Sequence, residues 1–195
     1  MNVAAGNRIE SESFRIIRAE LGETGMPEEL LSVVIRVVHA TGDFEYAKNL
    51  RFLSDIAIGV EALLSDALII TDVMMVKVGI SKRFMPNAAE RVRCRIDDSE
   101  VRLYAVKNFI TRSCAAMRLD STKLNGAIIA IGNAPTALLE VLRLASQEGI
   151  RPAYVIGVPV GFVSAAESKQ ELLKSSLPRV TSLGRKGGSS IAAAI

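Results

Sequence analysis

The chain has 195 residues, 49% of them hydrophobic, and its 24 basic side chains exceed its acidic ones by only 3. That length supports a core without metals or disulfides, no apolar run reaches the roughly 18 residues a membrane span requires, and the absence of tryptophan with charge spread along the chain argues against a base-stacking nucleic-acid binder. The apolar excess calls for a subunit interface or a pocket for a large, partly apolar ligand, and dispersed arginines suit a small molecule bearing several carboxylates. Cys94 and Cys114 show neither metal-ligand spacing nor a disulfide framework, and the opening MNVAAGNRIE lacks a signal-peptide layout; both fit a reducing, cytoplasmic setting.

From the start of the chain, Ile9, Phe14, Ile17 and Leu21 recur at helical spacing and predict an amphipathic helix over 9–21, with Gly22 and Gly25 beyond it. Ser13 reads first as a cap or a solvated serine. Arg15 and Arg18 share a face and either solvate it or gather an anion. Pro27 opens a second helix, with Glu28 and Glu29 in its first turn and Gly42 at its end. It carries VIRVVHATGDFEYA at 34–47, which contains the chain's only histidine, His39, about one turn from the C-terminus. The negative helix end, with Asp43 and Glu45 following, favours imidazolium and makes His39 a candidate general acid. A core histidine satisfied by backbone is the equally weighted alternative.

Residues 43–49 suggest a further short helix, LRFL at 50–53 a short strand, and 57–64 a helix. ALIIT at 67–71 is a strand, after which Thr71-Asp72 leads into an apolar helix ending at Gly79; the pair is a plain N-cap or part of a ligand crevice. VRCRI at 92–96 is a candidate strand. Residues 99–119 read as one long helix, with Arg112 and Arg118 late in it as ordinary dipole partners. AIIAI at 127–131 is a buried strand that breaks at Gly132-Asn133-Ala134-Pro135 before a helix running to about Gln147. Residues 154–158 repeat the pattern, breaking at Gly157 to Gly161 before a helix holding Ser164, Glu167, Ser168 and Lys169. Residues 179–183 give a last strand, and GRKGGSSIAAAI closes the chain.

Apolar strands alternating with helices predict an α/β protein: a three-layer α/β/α sandwich with a mainly parallel sheet, one domain over 1–195. In such sheets ligands lie beyond the carboxyl ends of the strands, where this chain sets Thr71, Asp72, Asn133 and Gly161 among its glycines. Helix N-termini there offer N–H groups to carboxylates. The dinucleotide and phosphate-loop patterns are missing, no second histidine exists to pair on a metal, and no nucleophile elbow occurs. Metal and serine hydrolysis are poor readings, and no metal is expected.

RVVHATGDFEYA at 36–47, ITDVMMVKVGI at 70–80, GNAPTALLEVL at 132–142, VIGVPVGFVSAAESK at 155–169 and RKGGSSIAAAI at 185–195 together resemble the precorrin-8X methylmutases, or precorrin isomerases, of cobalamin biosynthesis. The likeness runs over nearly the whole chain; the segment around 81–90 is short for the family. The resemblance implies an isomerase that moves a methyl group on ring C of a corrin precursor, with or without cobalt, in a homodimer whose active site lies near the subunit interface, with no separate cofactor. It places the family's catalytic histidine on His39 and a substrate-contacting serine on Ser13. The working site is then His39 as proton donor and acceptor, with Ser13, Arg15, Thr71, Asp72, Arg112, Asn133 and Gly161 about a tetrapyrrole substrate. No nucleic acid or membrane is expected as a partner. A non-catalytic tetrapyrrole carrier is the alternative, and a nucleotide enzyme using GNAP or RKGG on phosphates is the rival from another class.

Overall fold

The four residues of β4, Ile128–Ile131, are all buried, so both sides of the strand must be covered. The computed structural model of the chain, which describes residues 3–83, 85 and 87–195, shows how. Ile128 and Ala130 enter a cluster with Val34, Val37 and Val38, while Ile129 and Ile131 enter another with Leu138, Val141 and Leu144. Alternate side chains of one strand thus feed two cores, as the period of two requires.

Six strands form one sheet in the order β1-β6-β5-β4-β2-β3. β2 (Ile69–Thr71), β3 (Val92–Arg93), β4, β5 (Tyr154–Gly157) and β6 (Arg179–Ser182) pair in parallel. β1 (Leu50–Phe52) closes one edge antiparallel to β6, with Leu50 opposite Ser182. One face is covered by residues of α1 (Val3–Leu21), α2 (Glu28–Thr41), α3 (Tyr46–Asn49), α4 (Ile56–Leu64), α5 (Met74–Gly79) and α11 (Ser189–Ala194). The other face takes α8 (Arg112–Leu119), α9 (Pro135–Gln147) and α10 (Ala165–Lys174), with α7 (Ser99–Lys107) packed on α8. The short α6 (Ala88–Arg91) precedes β3. This is the expected three-layer arrangement. No helix among the described residues is long and apolar enough to cross a membrane.

Three local expectations are corrected. The first helix begins at Val3, well before Ile9, because no proline interrupts the chain ahead of Pro27 and the single Gly6 costs only about 1 kcal/mol. The predicted helix over 99–119 is two helices: Phe109 takes φ 54°, and the Thr111 hydroxyl accepts from the Cys114 N–H at 3.2 Å to start α8. Arg112 therefore opens a helix, where the sequence had placed it late in one. Of 92–96 only Val92 and Arg93 are strand, since Arg95 turns into ion pairs with Asp98, Glu100 and Asp120. Phe84 and Pro86, in the short segment noted at 81–90, lie outside the described residues.

Candidate active site

In α2 the buried residues Leu31, Val34, Ile35, Val37 and Val38 define an inner face, which leaves Ser32, Arg36 and His39 on the outer one. The helix stops at Gly42, whose left-handed φ of 67° lets its N–H donate to the Val38 carbonyl at 2.7 Å. His39 is thus exposed in the last turn. Among the described residues no side chain or backbone group hydrogen-bonds its ring; instead the imidazole meets Phe14 edge to face, centroids 5.2 Å apart. Asp43 and Glu45 are turned to Lys186, whose ammonium donates to them at 2.7 and 2.6 Å. Those two acids tie the loop after α2 to the loop before α11. They do not hydrogen-bond His39 as a neighbouring acid would.

α1 runs beside α2, pairing Arg18 with Glu28 and Glu10 with Arg36. Ser13 is half-buried, one residue from Phe14, and its hydroxyl donates to the Ile9 carbonyl one turn back at 2.8 Å, so it caps nothing. Arg15, paired with exposed Glu12, lines a crevice of about 430 Å³ together with Phe14, Arg18, Ser32, Ile35 and Arg36. Three guanidiniums on two adjacent helices, each held only by exposed carboxylates, can exchange those partners for a ligand's carboxylates at little cost. Arg36 also lines a second, apolar cavity of about 380 Å³ between α2, α4, α11 and the sheet, walled by Val60, Leu63, Ile69, Tyr154 and Ile156. Sequence reasoning passed over Arg36. Its position three residues before His39 on the same face was the available signal.

At the carboxyl ends of the strands the chain fills its own anion site. The carboxylate of Asp72 accepts from the N–H groups of Gly132 at 3.1 Å, Asn133 at 2.8 Å and Ala134 at 2.6 Å. Burial pushes this carboxyl above the ordinary carboxylate range, against the pull of the three N–H groups. The donors expected to greet a ligand at α9 are therefore occupied from within. Thr71 is buried too, its hydroxyl donating within reach of the Val73 and Arg93 carbonyls at 3.3 and 3.2 Å. Buried as they are, neither residue can touch a ligand directly, contrary to the expectation of a ligand crevice there.

Neighbouring loops pack closely at these strand ends. A Cβ on Gly132 would meet the Ser189 Cα at 2.7 Å, and one on Gly187 would meet the Val158 carbonyl oxygen at 2.2 Å. Only glycine permits such backbone contact. Gly161, at φ 155°, donates its N–H to the Arg185 carbonyl, and the Arg185 guanidinium lies over the exposed Phe162 ring at 5.4 Å. Lys169, almost wholly buried, donates to the Lys186 carbonyl at 2.6 Å; burial brings its amine down to about 8. Asn133 is exposed beside this loop cluster.

His39 thus meets Phe14 of α1, which Ser13 and Arg15 flank in the chain; Arg15 lines the crevice with Phe14, while His39 lines neither cavity. Asn133 and Gly161 gather at the strand ends, joined to the His39 loop through Lys186. Arg112 stands apart, on the α8 side of the sheet, exposed and paired with Asp97 at 3.4 Å. Its neighbour Thr111 touches Thr136 at 2.7 Å, which sets the starts of α8 and α9 side by side. Among the described residues no group of three or more His, Cys, Asp or Glu side chains is placed to hold a metal ion.

Comparison with known proteins adds to this geometry. A family model for precorrin-8X methylmutase matches residues 8–195. The cobalt-precorrin-8 methylmutase of Priestia megaterium is 43% identical over 188 residues, covering 96% of this chain and 84% of its own length. The precorrin-8X methylmutase of Pseudomonas aeruginosa is 40% identical, covering 97% and 92%. The solved structure of a precorrin-8X methylmutase from Thermus thermophilus superposes with a TM-score of 0.86 at 38% identity, over 96% of this chain and 91% of that one.

Proposed function

The chain belongs to the precorrin-8X methylmutase family, and on that premise we propose that His39 is the proton donor and acceptor of its reaction, the migration of a methyl group on ring C of precorrin-8X or cobalt-precorrin-8. The protein is an isomerase of cobalamin biosynthesis. One observation carries the role of the histidine: its ring stands exposed at the end of α2, braced on Phe14, with neither nitrogen committed elsewhere among the described residues.

An isomerisation sets the chemical requirements. Substrate and product have the same composition, so any proton given must be recovered, and one acid that becomes its own conjugate base suffices. Protonating the conjugated ring system makes the carbon next to the methyl-bearing one electron-poor. The carbon–methyl bond then breaks as the new bond forms at the neighbouring carbon, and loss of the proton to His39 restores neutrality. A positioned acid supplies about 10² to 10⁴ in rate. The remainder comes from holding a flexible macrocycle in a reactive shape. Arg15 and Arg18 meet carboxylates on the α1 side, Ser13 contacts the substrate beside His39, and Asn133 and Gly161 serve its far periphery, while Arg112, on the other face of the sheet, stays outside the site. Thr71 and Asp72 act on the substrate through the loops they hold.

An exposed apolar surface supports a homodimer. Apart from Glu61 the residues of α4 are apolar, IAIGVEALL, yet Ile58, Val60 and Leu64 are exposed, as are Met75 and Val78 on α5. A second copy covering these residues would also complete the wall of the apolar cavity. Free thiols at Cys94 and Cys114 accord with a cytoplasmic setting. The test is to incubate the purified protein with precorrin-8X and with cobalt-precorrin-8 and follow the absorption spectrum. Conversion to the corrin chromophore supports the reading; binding of pigment with an unchanged spectrum in both cases would make the protein a carrier.

A further inference from the structure

The buried ammonium of Lys169 has no part in the chemistry described so far. It sits on the inner face of α10 with Ala165, Ser168 and Leu172, and only 1% of the residue is exposed. Among the described residues no carboxylate pairs with it. Its hydrogens go to the Lys186 carbonyl at 2.6 Å and the Ser182 hydroxyl at 3.3 Å, and that hydroxyl donates to the same carbonyl at 2.8 Å. A buried charge without a counter-ion costs stability, and methionine would fill much the same space without that cost. With its amine at about 8, the side chain is nevertheless a cation at neutral pH.

The carbonyl it holds belongs to the peptide joining Lys186 to Gly187. None of the described peptide bonds is cis, so the Gly187 N–H points the opposite way, out of the buried layer. Among the described residues that N–H has no acceptor. Gly187 is half-buried against the backbone of Val158 and Pro159, ahead of α11 and its N-cap Gly188. Its neighbour Lys186 reaches over to Asp43 and Glu45, just after α2, so the free N–H lies between the strand-end loops and the loop that follows His39.

We propose that Lys169 is a positioning residue for the substrate: from beneath the strand-end loop it polarises the Lys186–Gly187 peptide, and the outward Gly187 N–H binds one peripheral carboxylate of the macrocycle. This rests on the isomerase reading, which brings a ligand with several carboxylates to the protein. An ammonium on the carbonyl oxygen draws electron density through the peptide and makes its N–H a stronger donor. The missing side chain lets a carboxylate come close to that N–H. The bound carboxylate then supplies the counter-charge that the protein withholds from Lys169. The Lys186 ammonium is not free for this task, because Asp43 and Glu45 already hold it.

The test reads the Gly187 amide directly. Lys-Gly occurs once in the chain, so protein carrying carbon-13 at lysine carbonyls and nitrogen-15 in glycine gives a single correlation, that of Gly187. Methyl migration leaves the rim carboxylates in place, so the metal-free corrin formed from precorrin-8X serves as the probe. Saturating it is expected to move the amide proton downfield in the wild type and less in Lys169→Met. In steady state Lys169→Met is expected to raise KM about tenfold with kcat within about threefold, at an unchanged or higher melting temperature. Lys169→Gln, which keeps a donor without the charge, is expected to recover little of the loss. An amide that stays in place at saturation overturns the proposal and needs only the wild type. An unchanged KM in Lys169→Met, or full recovery in Lys169→Gln, overturns it as well. A wild type that converts neither precorrin-8X nor cobalt-precorrin-8 would instead overturn the reading beneath it.

Discussion

Asp72 stands where an anion would sit at the start of α9, and three N–H groups from residues 132–134 converge on its two oxygens. Its position at a strand end was legible from ALIIT followed by a polar residue. Its partners were not, because they lie 60 or more residues along the chain and no local pattern joins them. Removing the carboxylate leaves two buried donors and one half-buried donor without acceptors, each buried one costing about 1–3 kcal/mol. Asp72→Ala is therefore expected to lower stability by on the order of 3 kcal/mol, a drop in melting temperature of roughly 10 °C for a chain of this size. Calorimetry checks it, and a shift under 2 °C would mean that the loop is held by other contacts. His39 was legible as the lone histidine one turn before a helix-ending glycine. Phe14, which braces it, was not, because it comes from another helix; Arg36 had only its spacing of three from His39 to mark it.

Between elements, α8 and α9 are joined through a carboxylate. Glu140, nearly inaccessible, accepts from Arg118 at 2.8 and 2.9 Å and from Arg143 at 2.6 Å. Burial works to raise its carboxyl, but the hydrogen bonds and charges of the two guanidiniums prevail and bring it to about 2. A carboxyl held below its unfolded value of about 4.3 stabilises the fold fully above that pH, and the contribution disappears as pH falls toward 2. The wild type should therefore lose about 2 kcal/mol through this group between roughly pH 5 and 2. Glu140→Gln should be less stable at pH 7 yet show a shallower loss over that window, as denaturant titrations at several pH values would reveal; parallel curves would exclude the linkage. The ends of α2 were readable from Pro27 and Gly42. The break between α7 and α8 was not, since it depends on Phe109, a bulky residue in the left-handed region, while the apolar spacing of Val101 and Ala105 runs smoothly up to it.

For the whole molecule, alternation of strand and helix was enough to predict three layers and a mainly parallel sheet, because strands covered on both faces must be apolar throughout. The order of the strands was not readable, and neither was the antiparallel edge: β1 is three residues long and carries no signal for direction. The apolar excess of the composition has its counterpart in Leu64, 80% exposed, and Val78, 69% exposed. If a second copy covers them, the protein sediments as a dimer, and Leu64→Glu with Val78→Asp yields a folded monomer with weakened turnover. A wild type that sediments as a monomer at micromolar concentration would refute the dimer.

The proposed chemistry depends on one exposed imidazole at the end of α2. The most direct test is single-turnover conversion of precorrin-8X or cobalt-precorrin-8 by His39→Ala, with pigment binding measured in the same samples. The expected result is binding close to that of the wild type and a rate lowered by about 10² to 10⁴. Wild-type conversion by that variant would show that the proton comes from elsewhere.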